Sequence, residues 1–233
     1  MDEARRLLGA EQPGPPTLLI TGAAGVGKTA FAIRTGHLLA ARFPDGQLHA
    51  DLRGFGDEPA EPFTVLGTFL RALGTPGGAV PAELTDRVHL YRTLLAGQRT
   101  LVVLDNAAGV QQLSDLLPSG VRCAAIVTSR TTIAELSCSR LPLGVLDSGT
   151  GSTCCARCSA GTGPTRVRAA RAIVDTCGGL PLAVWVAGAR LAARPGWPWP
   201  RWRALSPTSS ASSTSWPSAI SPYGPVSNSP ISS

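Results

Sequence analysis

Lys28 is the chain's one lysine; the twenty other basic side chains are arginines. It stands in Gly22-Ala23-Ala24-Gly25-Val26-Gly27-Lys28-Thr29-Ala30, and the spacing G-x-x-x-x-G-K-[ST] is that of a phosphate-binding loop. Glycines let backbone N–H groups turn inward and approach phosphate oxygens without a Cβ in the way. A helix opening near Gly27 aims its unpaired amides and positive dipole end at the same anion. A compact ammonium reaches the β- and γ-phosphates from within so tight a loop, where a planar guanidinium fork does not fit. Thr29 offers a hydroxyl to Mg²⁺. The competing account, a flexible glycine-rich turn, does not predict what flanks the loop. Thr17 to Ile20 before it is an apolar run of strand length. The segment after it carries Phe31, Ile33, Leu38 and Leu39 as an irregular helical stripe.

Other chemistry-bearing residues sit at similar places. TLVVL, residues 100–104, is an unbroken apolar run ending in Asp105, as expected of a strand covered on both faces. Asp105 is the natural second oxygen donor for Mg²⁺, directly or through water. It is also a candidate N-cap for a helix in the segment AAGVQQLSDLL, and both roles can hold together. Residues 123–127 form another apolar run, ending in Thr128-Ser129-Arg130. Arg130 reads either as a γ-phosphate sensor or as an ordinary surface arginine. His37, His49 and His89 have no ligand-like spacing.

The elements that must position these groups alternate. HADLRGFG (49–56) reads as a second strand, residues 64–73 as an amphipathic helix stopped by Gly74, and residues 84–95 as a further helix ended by Gly97. Alternating strands and helices predict a doubly wound parallel α/β sheet of the P-loop NTPase kind, with ligands at the carboxyl ends of the strands. The loop, Asp105 and residues 128–130 all fall at such ends.

Length and charge bound the rest. The 233 residues allow one well-buried domain and a smaller one. The net charge of +6 is uneven: residues 1–150 hold 13 basic and 14 acidic side chains, and residues 151–233 hold eight arginines and one acid, Asp175. Basicity confined to that end, with no recognisable reading element, argues against specific nucleic-acid binding by this chain. No apolar run approaches the ~18 residues needed to span a membrane, and the start lacks a signal-peptide apolar segment, so the expected location is cytoplasmic.

The stretches GAAGVGKTAFA, DLRGFG, LVVLDNA, IVTSR and CGGLPLAVWVAGARLAARPGW, in that order over residues 15–197, resemble the NB-ARC group of signal-transduction (STAND) P-loop ATPases. The pattern is also similar to that of actinobacterial regulators of the AfsR/SARP type. The resemblance implies ATP or ADP on the loop, with Asp105 as the Walker B aspartate working with Mg²⁺ and Arg130 as a sensor. It also implies that Gly179 to Leu182 open a helix of a small helical subdomain closing over the nucleotide, with Pro181 against it. Pro181 after two glycines suits a helix's first turn; an ordinary helix–turn–helix joint is the plain alternative. Asn106 follows Asp105 where many hydrolytic relatives carry a second acid, so turnover is expected to be slow at most. The family's segment before the first strand and any DNA-binding or activating domain are expected to be missing, so the expected module signals to a protein partner or to further domains. A P-loop kinase or other phosphotransferase acting on a small acceptor is the alternative, with Asp51 as its one candidate base.

The resulting division is a leader helix or linker over 1–14, the nucleotide-binding domain over 15–147, an irregular linker over 148–164, a helical subdomain over 165–197 and a disordered Ser/Pro-rich tail over 198–233. Cys155-x-x-Cys158 in the linker lacks the second pair that structural zinc needs. Arginine-for-lysine usage with abundant Ala, Gly and Pro indicates GC-rich codons. Read one frame over with such codons, residues 151–160 and the stretch beginning near 202 give leucine- and acid-bearing helical text. Both stretches therefore read as shifted frames, with loss of the helix that joins sheet to subdomain. A genuine flexible tail whose tryptophans serve a partner is the other account of 198–233.

Overall fold

The computed structural model describes residues 1–8, 14–158 and 164–192. The strands are β1 (Thr17–Thr21), β2 (Gln47–Asp51), β3 (Leu101–Ala107), β4 (Ala124–Ser129) and β5 (Ser139–Pro142). They form one sheet in the order β2-β3-β4-β1-β5, every pair parallel. The helices are α1 (Asp2–Leu7), α2 (Lys28–Leu39), α3 (Pro62–Ala72), α4 (Leu84–Ala96), α5 (Val110–Leu113), α6 (Ser148–Cys158), α7 (Pro164–Thr176) and α8 (Pro181–Ala192).

The central strands are apolar on both sides because both faces are covered. Leu19, Val102, Leu104 and Val127 point to one face, where α3 and α4 pack with Val65, Leu66, Phe69, Leu70, Tyr91 and Leu95. Leu18, Ile20, Leu101, Val103, Ala124 and Ile126 point to the other, under α1 and α2. The period-two alternation of a strand thus splits one apolar run between two cores. Tyr91, fully buried, donates its hydroxyl to the Leu116 carbonyl at 2.9 Å, and burial pushes its pKa up.

Several expectations need correction. The buried stripe of α2 is Ala32, Thr35, Gly36 and Leu39, while Ile33 and Leu38 face solvent. Small residues win that face because the helix lies close on the sheet: Gln47 reaches across to donate to the Gly36 carbonyl at 2.8 Å. Asp105 caps no helix: it lies inside β3, and α5 is one turn long and begins after Gly109. The edge strand β5, whose pattern is too polar to read as a strand, was not anticipated.

The largest difference lies at 148–158, a helix where an irregular linker was expected. Asp147 starts it: its carboxylate accepts the backbone N–H groups of Gly149 and Thr150, both at 2.9 Å, and the Thr150 hydroxyl at 2.6 Å. The Thr150 hydroxyl foremost, with these amides, lowers the Asp147 pKa. Residues of poor helix propensity persist because they pack. Cys155 is buried with Ala170, Ile173, Val174, Val184 and Ala187 of α7 and α8. At Gly151 a Cβ would lie 2.7 Å from Val174, so only glycine allows this closeness of α6 to α7. The expected disordered tail over 198–233, residues 193–197 of the expected subdomain and the end of the 148–164 stretch lie outside the described residues.

Candidate nucleotide site

β1 delivers the chain into the glycine loop and α2 takes it away. Gly27 caps α2 with φ of +93°, and Gly25 has φ of +78°, left-handed conformations that side-chain-bearing residues rarely adopt. Val26 is buried and pins the loop, whereas Ala23, Ala24, Thr29 and Ala30 are exposed around it. Lys28 Nζ donates to the carbonyls of Gly22 at 2.8 Å and Ala23 at 2.9 Å, which holds the ammonium across the loop. Burial lowers the Lys28 pKa, and the Arg130 charge lowers it further, while Asp105 acts in the opposite direction.

Thr29 and Asp105 are 76 residues apart in sequence and touch. The Thr29 hydroxyl lies 3.0 and 2.9 Å from the two Asp105 carboxylate oxygens. Asp105 is buried at the end of β3 and also accepts the hydroxyl of Thr128 from the end of β4. Thr128 Oγ1 in turn accepts the Asn106 N–H at 2.9 Å. This tie accompanies a register irregularity between β3 and β4, with Asn106 in a left-handed conformation, φ +60°. Asparagine is among the side-chain-bearing residues that adopt this conformation most readily. Thr128 was part of a segment singled out in the sequence, but its service to Asp105 was missed; only the register of β3 on β4 reveals it.

The donor set fits a hard divalent cation. A hydroxyl and a carboxylate, both oxygen donors, converge beside a phosphate-type loop, as Mg²⁺ coordination requires. Asp51, the candidate base of a transferase, is exposed, and its carboxylate accepts the Arg53 N–H at 2.9 Å.

Arg130 follows β4 and lies over the ring of Phe55, 4.8 Å from its centroid. Both line a cleft of about 470 Å³ with Arg53, Asp57, Glu58 and Asn106. The loop carrying Phe55 is stapled to the end of β3. Leu52 N–H bonds the Asp105 carbonyl at 2.8 Å, and Gly54 N–H bonds the Asn106 carbonyl at 2.7 Å. Gln112 donates to the carbonyls of Leu52 and Ala60. Pro181 is the first residue of α8, and the next amide, Leu182 N–H, bonds the Gly25 carbonyl at 3.3 Å, so α8 begins against the loop. The histidines are dispersed over α2, β2 and α4. Among the described residues no group of three metal-ligating side chains assembles. Nor is any described helix long and apolar enough to cross a membrane.

No family model matches the chain. It is 46% identical over 182 residues to the regulatory protein AfsR of Streptomyces coelicolor, an alignment covering 76% of this chain and 18% of the relative. The AfsR of Streptomyces griseus is 44% identical over 197 residues, covering 82% and 20%. The chain thus spans about a fifth of the length of these relatives.

Solved structures share the fold. Cdc6p of Pyrobaculum aerophilum superposes with a TM-score of 0.60 at 16% identity, covering 83% of this chain and 60% of that one. The ORC2 protein of Aeropyrum pernix gives 0.53 at 21% identity, covering 79% and 59%. A STAND protein with a tetratricopeptide repeat sensor from Pyrococcus horikoshii gives 0.51 at 18%, covering 78% and 28%. The chain is accordingly a homologue of one stretch of the AfsR regulatory proteins, with the fold of the P-loop structures named above.

Proposed function

We propose that this chain is an adenine-nucleotide switch: it binds ATP or ADP with Mg²⁺ and passes the difference to a protein partner or to further domains of a regulator. The observation that carries the reading is the convergence of Lys28, Thr29 and Asp105 at the carboxyl ends of β1 and β3. Lys28 offers a point charge to the terminal phosphates, and the loop amides of Gly22 to Ala30 offer their N–H groups. Thr29 and Asp105 would hold Mg²⁺, which when bound neutralises charge on the phosphates. Arg130 follows Ser129, which pairs with Thr21 just before the loop, and reads the third phosphate from there. Pro181 and Leu182, at the start of α8, lean on the loop through Gly25 and would feel its state.

Adenine rests on the family resemblance and on the ORC2 neighbour, solved in complexes with ADPNP and ADP. Asn106 in place of a second acid supports slow hydrolysis or none. The test is mass spectrometry of whatever nucleotide purifies with the chain. Retained ADP or ATP near one equivalent, lost in Lys28→Ala, supports the switch; rapid multiple-turnover transfer to a small acceptor would overturn it.

A further inference from the structure

Phe55 is a large apolar side chain, 37% exposed, that joins neither core of the sheet. Its ring packs instead under a cation. We infer that Phe55 is a positioning residue, whose ring face holds the Arg130 guanidinium at the mouth of the phosphate loop and so presets it for a third phosphate. This rests on reading Arg130 as the γ-phosphate sensor.

The contact geometry supports it. Arg130 needs a holder: among the described residues no carboxylate pairs with it and no hydrogen bond restrains its guanidinium, so the ring at 4.8 Å is its contact. An aromatic face attracts a guanidinium without neutralising it, leaving the charge available to an anion. A carboxylate in the same place would compete with the phosphate.

The ring is itself held. Its loop is bonded through Leu52 and Gly54 to the backbone of Asp105 and Asn106, the residues beside the metal-binding position. A Cβ on Gly54 would lie 2.3 Å from the Ala108 nitrogen, which shows how closely the loop lies on β3. Gly56 N–H closes the turn on the Arg53 carbonyl at 2.9 Å, and Arg53 takes a left-handed φ of +47°. Preorganisation of the arginine thus runs from the end of β3 through a fixed turn to an aromatic face.

The test compares ADP with adenylyl-imidodiphosphate, both with Mg²⁺, on the full chain by titration calorimetry. Phe55→Leu, with Phe55→Met as a second truncation, should weaken the triphosphate analogue about two- to fivefold, the size of an exposed cation–π contact, and leave ADP unchanged. Phe55→Tyr should restore the wild-type ratio. Arg130→Ala should lower the ratio at least as far, and adding Phe55→Leu to it should change nothing more. An unchanged or raised triphosphate preference in Phe55→Leu, with Arg130→Ala lowering it, overturns the positioning role while leaving the sensor standing. An unchanged ratio in Arg130→Ala removes the sensor and the positioning role together.

Discussion

The Thr29 hydroxyl meets both carboxylate oxygens of Asp105, at 3.0 and 2.9 Å, and so joins the first turn of α2 to the end of β3. The contact couples the phosphate loop to the carboxylate proposed to hold Mg²⁺. Asp105→Asn keeps the volume and removes the charge. Nucleotide affinity in this variant should become nearly indifferent to Mg²⁺, whereas the wild type should bind more tightly with Mg²⁺ than with a chelator. A titration at both conditions decides; an undiminished Mg²⁺ dependence in Asp105→Asn counts against the assignment.

Thr128 supports that carboxylate from the other side, and it satisfies the Asn106 amide. Thr128→Val preserves shape and leaves a part-buried N–H and a buried carboxylate each short of a partner. The expected cost is about 1–3 kcal/mol of stability, read as a lower denaturation midpoint in urea. A loss below ~0.5 kcal/mol would show that the tie does not hold the strand end.

Lys28 gives the site a pH dependence. Burial and the Arg130 charge hold its pKa below the ordinary lysine value, and a bound phosphate favours the charged form. Binding therefore takes up a proton at alkaline pH, and affinity should fall as pH rises through the lowered value, by at most about tenfold per pH unit. The free protein should behave oppositely. Between the lowered value and the ordinary one its unfolded chain holds more protons, so stability rises with pH there. Affinity measured from pH 7 to 10 should decline in the wild type, and any residual binding by Lys28→Ala should not share that decline. A flat wild-type profile contradicts this.

Gly54 marks where the β2–α3 loop lies on β3. Gly54→Ala would place a Cβ 2.6 Å from the Asn106 carbonyl oxygen and 2.3 Å from the Ala108 nitrogen, both backbone atoms that cannot swing aside. Destabilisation of about 1–3 kcal/mol is expected, and the loop carrying Phe55 should shift. Thermal unfolding of the variant checks it; an unchanged melting curve would mean that the loop is free to move.

The parallel sheet was legible because three of its strands end in chemistry-bearing residues: Lys28 after β1, Asp105 in β3, Arg130 after β4. Tertiary placement was not legible. Thr128 and Phe55 lie in the stretches IVTSR and DLRGFG, but nothing in those stretches pairs Thr128 with Asp105 or Phe55 with Arg130; the register of β3 on β4 and the turn at Arg53 set those contacts. The helix at 148–158 was unreadable for a related reason. Its glycines, serines and cysteines argue against a helix locally, while Asp147 at its start and the contact of Gly151 with Val174 enforce one. The buried face of α2 misled in the same way, since closeness to the sheet selects Ala32 and Gly36 over Ile33 and Leu38.

The most direct measurement is calorimetric titration of the purified chain with ADP and with a non-hydrolysable ATP analogue, Mg²⁺ present, beside Lys28→Ala with an unchanged circular-dichroism spectrum. The account predicts saturable binding near one nucleotide per chain, lost or weakened at least about a hundredfold in the variant. A folded wild-type protein with no measurable affinity for either nucleotide, or a Lys28→Ala variant that binds equally well, would contradict it.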